Sequence, residues 1–226
     1  MIPKVIHCCW FGGGRKTPLV EKCMASWRRF EPGWEIREWT EDEMRRTFVP
    51  PKFFDDAIKN GKWAFASDWA RFAVVAGQGG VYLDMDVELV APIDDIVDGG
   101  PFFALSSDSP GWINPGLGFA AERGDPVCAA IAKRYETMKF DPACHGSQTV
   151  LTVSNDVLKG FPERRLVPAT VFDPKRGCAG RLVMSPETRA IHHYAASWFN
   201  WKQRLAYMWW PRVRNCAMRL VGGVDD

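Results

Sequence analysis

The chain has 226 residues, a net charge of +2, 46% hydrophobic and 25% charged residues. That length fits one sizeable α/β domain, the composition excludes a largely disordered chain, and so small a positive charge argues against nucleic acid as the main partner. Seven cysteines, at 8, 9, 23, 128, 144, 178 and 216, contain no CxxC pair and cannot all pair internally, which fits reduced thiols in a cytosolic compartment better than a disulfide framework.

The start, Met1-Ile2-Pro3-Lys4-Val5-Ile6-His7, has no basic segment followed by a long apolar run, so it does not read as a signal peptide. No stretch approaches ~20 uninterrupted apolar residues, and no transmembrane helix is expected. Lys4 to Phe11 reads as a buried first strand closed by Gly12-Gly13-Gly14. Thr17 to Phe30 has helical spacing, with Leu19, Val20, Cys23, Met24 and Trp27 on one face. Trp34 to Trp39 alternates as a strand, and a polar stretch with Pro50-Pro51 follows. Trp63 to Ala76 is an Ala-rich helix stopped at Gly77, and Val81-Tyr82-Leu83 is a strand running into Asp84-Met85-Asp86.

Pro101 to Ser106 and Leu117 to Ala121 read as strands. Asp125 to Met138 reads as a helix capped by Asp125 with Pro126 first, and Ser147 to Leu158 as another. Strand-like Arg165 to Val171 and Ala190 to Tyr194 complete the series. The alternation predicts a mostly parallel sheet with helices on both faces. There is no internal repeat and no low-complexity linker.

Asp84 and Asp86 are one residue apart at the carboxyl end of an apolar strand, where open α/β sheets bind ligands. Hard oxygen ligands there suit Mg²⁺ or Mn²⁺, which bridge readily to phosphate oxygens. Alone, such a triplet is equally a solvated turn with incidental acids. The helix upstream sharpens it: Asp68 and Arg71 share a face yet sit among almost wholly apolar neighbours, so they must line a polar cavity or bear desolvation. A surface ion pair is the plainer alternative.

The run from Phe65-Ala66-Ser67-Asp68-Trp69-Ala70-Arg71 to Gly79-Gly80-Val81-Tyr82-Leu83-Asp84-Met85-Asp86-Val87 resembles the core signature of glycosyltransferase family 32, the "sugar-binding region containing DXD motif" enzymes. These are related to capsular polysaccharide and mannosyl/inositol-phosphoceramide-type transferases, and clostridial glucosylating toxins carry a similar signature. Ile2 to Gly13 resembles the family's first strand, and Ile191-His192-His193-Tyr194-Ala195-Ala196-Ser197-Trp198 its end. The resemblance therefore runs from residue 2 to about 198, specific for family, fold and reaction type and weak for substrate.

It implies a GT-A type, Rossmann-like nucleotide-diphospho-sugar transferase over residues 1–198, a retaining outcome, and Mn²⁺ or Mg²⁺ as cofactor. Asp86 would ligate the metal, and Asp84 would contact the metal, the ribose or the sugar. Asp68 and Arg71 would hold donor-sugar hydroxyls and phosphate. Trp10 resembles the aromatic that stacks on the nucleobase, against a buried strand-end tryptophan as alternative. His193 is the expected further metal ligand, with His192 pointing to the opposite face of the strand; a purely structural His pair is the other reading. Ser197 and Trp198 resemble the loop over the diphosphate. Asn114, in Asn114-Pro115-Gly116, resembles a sugar- or acceptor-contacting turn, and Gln148 would face the anomeric carbon; both equally suit an ordinary turn and helix start.

The implied partners are a nucleotide-sugar donor, UDP-hexose or GDP-mannose, and a glycan or lipid-linked acceptor. Residues 199–226 interleave Lys202, Arg204, Arg212, Arg214 and Arg219 with tryptophans, which suits either an anionic membrane surface or a helix packed on the domain. A cytoplasmic protein, peripheral on the inner face of the cell membrane, is the corresponding expectation. Two rival functions remain: a haloacid-dehalogenase-type phosphatase with Asp84 as nucleophile, although that motif normally lies on a first strand, and a non-catalytic carbohydrate-binding scaffold.

Overall fold

A computed structural model of the chain describes residues 1–143, 146–176 and 181–195. The first strand, β1 (Val5–Cys9), is buried along its whole length. Helix α1 (Pro18–Phe30) starts where the Thr17 side chain accepts the Val20 N–H, with Pro18 in the first turn where its missing N–H costs nothing. After β2 (Glu35–Trp39) the expected polar connection is two helices instead, α2 (Glu41–Thr47) and α3 (Lys52–Lys59). The start of α2 carries a sequence signal, for Thr40 and Glu43 form a reciprocal capping box.

Helix α4 (Trp63–Gln78) runs two residues beyond its expected end and stops at Gly79, whose φ of 71° needs no Cβ. A Cβ there would also meet the Arg123 backbone nitrogen at 2.7 Å. The chain continues through β3 (Gly80–Tyr82), β4 (Val87–Leu89), α5 (Asp94–Asp98), β5 (Phe102–Ala104) and β6 (Phe119–Ala121). Then come α6 (Pro126–Glu136), α7 (Val150–Leu158), β7 (Leu166–Val167) and α8 (Ala169–Phe172). Short β8 (Lys175–Arg176), β9 (Arg181–Leu182) and β10 (Ala190–His192) follow. The single strand expected over Arg165 to Val171 is thus a two-residue strand and a helical turn, divided at Pro168, which precedes α8 as its cap residue.

The central sheet has the order β2-β1-β3-β6-β5-β7. β1 pairs in parallel with β2 and β3, and β5 with β7, whereas β6 runs antiparallel to both β3 and β5. Five strands therefore point one way and β6 the other, a mostly parallel sheet. Alternation along the strands divides the core in two: Ile6, Val81, Phe102 and Ala120 face one apolar layer, and Tyr82, Phe103 and Phe119 the other. Helix α4 packs into the second layer and α1 into the first, so the sheet is covered on both faces. A one-residue slip of any strand would exchange these sets, which fixes the register.

Buried His7 ties β1 to its neighbours. Trp39 Nε1–H, which can only donate, lies 3.1 Å from His7 Nδ1, so the other ring nitrogen carries the proton and donates to the Gly79 carbonyl at 2.9 Å. Burial, only partly opposed by the Gly79 bond, lowers the His7 pKa to about 4.

A separate two-stranded ribbon pairs β10 with β4, Ala190 opposite Leu89 and His192 opposite Val87. It carries the C-terminal histidines to the residues that follow β3. Among the described residues no helix is long and apolar enough to cross a membrane.

Candidate active site

Helix α4 lies under the carboxyl ends of β1 and β3, with Asp68 and Arg71 on its buried face. Arg71 is almost fully committed within the protein. Its Nε donates to the Ser67 carbonyl at 3.1 Å, Nη2 to Ser67 Oγ and to Asp68 Oδ1 at 3.0 Å, and Nη1 reaches Asp84 Oδ1 at 3.2 Å. The guanidinium also lies 4.9 Å from the Tyr82 ring centroid. Burial opposes its charge, but Asp84, Tyr82 and Asp68 outweigh that and hold it protonated. Asp68 accepts on its other oxygen from the Val150 N–H at 3.1 Å, the start of α7. Burial pushes its carboxyl up to about 7 despite Arg71.

Leaving β3, the chain turns so that the Asp84 carbonyl accepts from the Val87 N–H, and the Asp84 N–H donates to the Gly116 carbonyl at 3.2 Å. The Asp84 carboxylate receives Arg71 on one side and the Tyr82 hydroxyl at 3.0 Å on the other. Burial raises its pKa, and nearby Asp86 adds to that effect against Arg71. Asp86 behaves oppositely. Burial alone would raise it, yet His192 and the Ala195 N–H, at 3.1 and 2.8 Å, bring it down to about 2. Burial raises both carboxyls, but at Asp86 the His192 imidazole and a backbone donor overcome it, whereas at Asp84 the Arg71 charge does not.

Ligand atoms of Asp84, Asp86 and His192 all lie within 4.8 Å of one another. Two carboxylate oxygens and one imidazole nitrogen make a hard, mixed O/N set, whose chemistry fits Mg²⁺ or Mn²⁺. The further ligand expected at His193 falls elsewhere. β10 ends at His192, opposite Val87; the His192 ring reaches Asp86 at 3.1 Å, whereas His193, the next residue, reaches Glu88, whose carboxylate is 2.8 Å away. Glu88 is also bridged to Lys22 at 2.7 Å, so His193 joins a peripheral polar cluster, and His192 takes the place at the pair.

Trp10 does follow β1 at the same end of the sheet, half-buried, with its indole N–H donating to the Gly14 carbonyl at 2.8 Å and Lys16 5.9 Å above the ring. Asn114 caps its own turn: its Oδ1 accepts the Gly116 N–H at 3.0 Å. Gly116 is what touches the site, since a Cβ there would collide with Asp84 Oδ2. The Gln148 amide is clamped on the Asp141 backbone, accepting at 2.8 Å and donating at 3.0 Å, which secures the loop that leads into α7 and Val150. Ser197, Trp198 and the whole 199–226 segment lie outside the described residues. Tyr82, Gly116, Tyr194 and Asp173 were not foreseen. Tyr82, two residues before Asp84, read only as an apolar strand position.

Comparison with known proteins points to glycosyltransferases. Residues 17–103, which contain α4 and both aspartates, match the family model described as glycosyltransferase sugar-binding region containing DXD motif. An uncharacterized glycosyltransferase of Acanthamoeba polyphaga mimivirus is 29% identical over 107 residues, covering 46% of this chain and 43% of that protein. Inositol phosphoceramide mannosyltransferase 1 of Schizosaccharomyces pombe is 27% identical over 125 residues, 50% of this chain and 37% of the relative. The chain thus spans less than half the length of these curated relatives.

Among solved structures, the PaToxG glycosyltransferase aligns with a TM-score of 0.55 at 16% identity, over 71% of this chain and 70% of that one. A glycosyltransferase involved in glycosylation of the major capsid of PBCV-1 aligns at 0.50 and 13% identity, over 91% and 98%. At such identities the likeness is one of fold. Residues 17–103 therefore match the glycosyltransferase sugar-binding region containing DXD motif, in line with the resemblance in the sequence, and the chain has the fold of GT-A glycosyltransferases.

Proposed function

We propose that the chain is a metal-dependent, retaining glycosyltransferase that moves a hexose from a nucleotide-diphosphate sugar to a glycan or glycolipid acceptor. The observation that carries this reading is the convergence of Asp84, Asp86 and His192 within 4.8 Å at the carboxyl ends of parallel strands, braced from beneath by Arg71. A divalent cation held by those three residues supplies charge neutralisation to a departing diphosphate.

The protein's own residues then have distinct tasks. Asp86, held ionised by His192 and the Ala195 N–H, is the firm metal ligand. Asp84 is shared between metal and donor, its carboxylate aimed by Arg71 and the Tyr82 hydroxyl. With its donors spent inside the protein, Arg71 acts as a positioning residue for Asp84. Asp68 links that guanidinium to α7 and presents the buried edge against which donor hydroxyls would sit. Trp10 offers a flat aromatic face for a nucleobase.

In the retaining course we favour, the acceptor hydroxyl attacks the face from which the diphosphate leaves, and a phosphate oxygen takes its proton. Positioning and charge stabilisation carry the catalysis. The mannosyltransferase name of a relative makes GDP-mannose a donor to test beside UDP-hexoses. Release of nucleoside diphosphate from a panel of both, with and without Mn²⁺, tests the reading: metal-dependent turnover of at least one donor supports it, and neither turnover nor binding of any donor refutes it.

A further inference from the structure

Asp173, just beyond α8, is buried to 1% exposure and lies outside the metal-ligand group. Its Oδ2 accepts three hydrogen bonds: from the Tyr194 hydroxyl at 2.7 Å, from Ser107 Oγ at 2.5 Å and from the Ser107 N–H at 3.2 Å. Oδ1, equally buried, has no hydrogen-bond partner among the described residues. A half-satisfied buried carboxylate is a poor choice for stability alone.

Its partner Tyr194 is unusual too. Among the described residues it is the one non-glycine residue with positive φ, at 49°. A bulky side chain in the left-handed region persists only where its surroundings impose it. The turn it makes has a visible result. On one side the His193 N–H donates to the Asp86 carbonyl at 3.0 Å, and on the other the Ala195 N–H donates to Asp86 Oδ2 at 2.8 Å. Meanwhile the Tyr194 ring lies edge-on to the His192 imidazole, with centroids 4.0 Å apart. Residues 192–195 thus wrap around Asp86, and Tyr194 is the pivot of the wrap.

We propose that Asp173 is a positioning residue which, by holding the Tyr194 hydroxyl, fixes the left-handed turn that aims both the His192 ring and the Ala195 N–H at Asp86. It acts on the metal site without touching it, and it also ties that site to the segment of Ser107. The inference rests on the reading of Asp84, Asp86 and His192 as a cation site.

The test is direct Mn²⁺ binding to the full chain, by calorimetry and by Mn²⁺ electron paramagnetic resonance, with the unfolding temperature recorded for each variant. Tyr194→Phe removes one hydroxyl and keeps the ring; Asp173→Ala removes the acceptor. Each is expected to weaken Mn²⁺ affinity about tenfold, and the double variant is expected to be no worse than the weaker single one, because both act through one bond. Unchanged Mn²⁺ affinity with only a lowered unfolding temperature would assign Asp173 a merely structural role and overturn the proposal. Effects that multiply in the double variant would also overturn it. Wild-type protein that binds no Mn²⁺ would remove the cation-site reading itself, and this inference with it.

Discussion

Arg71 on a helix and Asp84 beyond a strand end meet at 3.2 Å, while the same guanidinium holds Asp68 at 3.0 Å. One buried cation therefore serves two carboxylates, and their charge is tolerable only while it is present. Replacing Arg71 with Ala leaves Asp68 buried with the Val150 N–H but no countercharge, which should destabilise the fold by about 3–5 kcal/mol. Urea unfolding of Arg71→Ala beside wild type checks this; a loss under about 1 kcal/mol would show that the carboxylates do not depend on Arg71.

The two adjacent histidines should separate cleanly. His192→Ala removes a group 3.1 Å from Asp86 and is expected to weaken Mn²⁺ binding at least tenfold, whereas His193→Ala, which loses only the contact with Glu88, should change it less than threefold. Calorimetric titration of both variants decides, and the reverse ranking would restore His193 as the ligand.

Gly116→Ala places a methyl group against Asp84 Oδ2, so either the turn or the carboxylate must move. We expect a stability loss of about 1–3 kcal/mol, together with weaker Mn²⁺ binding because the displaced group belongs to the site. Normal Mn²⁺ affinity in this variant would mean that the Asn114-Pro115-Gly116 turn does not set the position of Asp84.

His7 gives a pH signature of the fold. Its folded pKa of about 4 lies below the ordinary imidazole value of 6.5, so between those values the unfolded chain binds more protons than the folded one. Stability is then fully present above about pH 6.5 and is lost as pH falls toward 4, by about 3 kcal/mol from this residue. His7→Asn should flatten the unfolding free energy across that window by about one proton, as read from urea melts at several pH values. An unaltered slope would place the acid sensitivity on other groups.

The sequence made the strand-borne aspartates and the buried Asp68–Arg71 pair legible because each is a local pattern: charge in an apolar helix, acids after an apolar strand. Of the two histidines it pointed to His193, whereas His192 is the one beside the aspartates. Alternation says only that the two part company, and which of them reaches Asp86 is set by the turn after β10, a contact over a hundred residues away in the chain. The reversed direction of β6 was equally hidden, being a property of which strands it lies between. The helices α2 and α3 have unequal sequence signals: Thr40 and Glu43 announce the first, but prolines 50 and 51 before the second suit a loop equally well. Tyr194 and Asp173 have no local signature, because their roles rest on a backbone angle and on a contact across 21 residues of chain.

The central claim is that Asp84, Asp86 and His192 form a cation site serving a nucleotide-sugar donor. Its most direct test is nucleoside diphosphate release from UDP-hexoses and GDP-mannose by wild type and Asp86→Asn, each with Mn²⁺ and with chelator. The account predicts turnover of at least one donor by wild type with Mn²⁺, lost by at least a hundredfold on chelation and in Asp86→Asn. Equal turnover with chelator, or an Asp86→Asn variant as active as wild type, would contradict it.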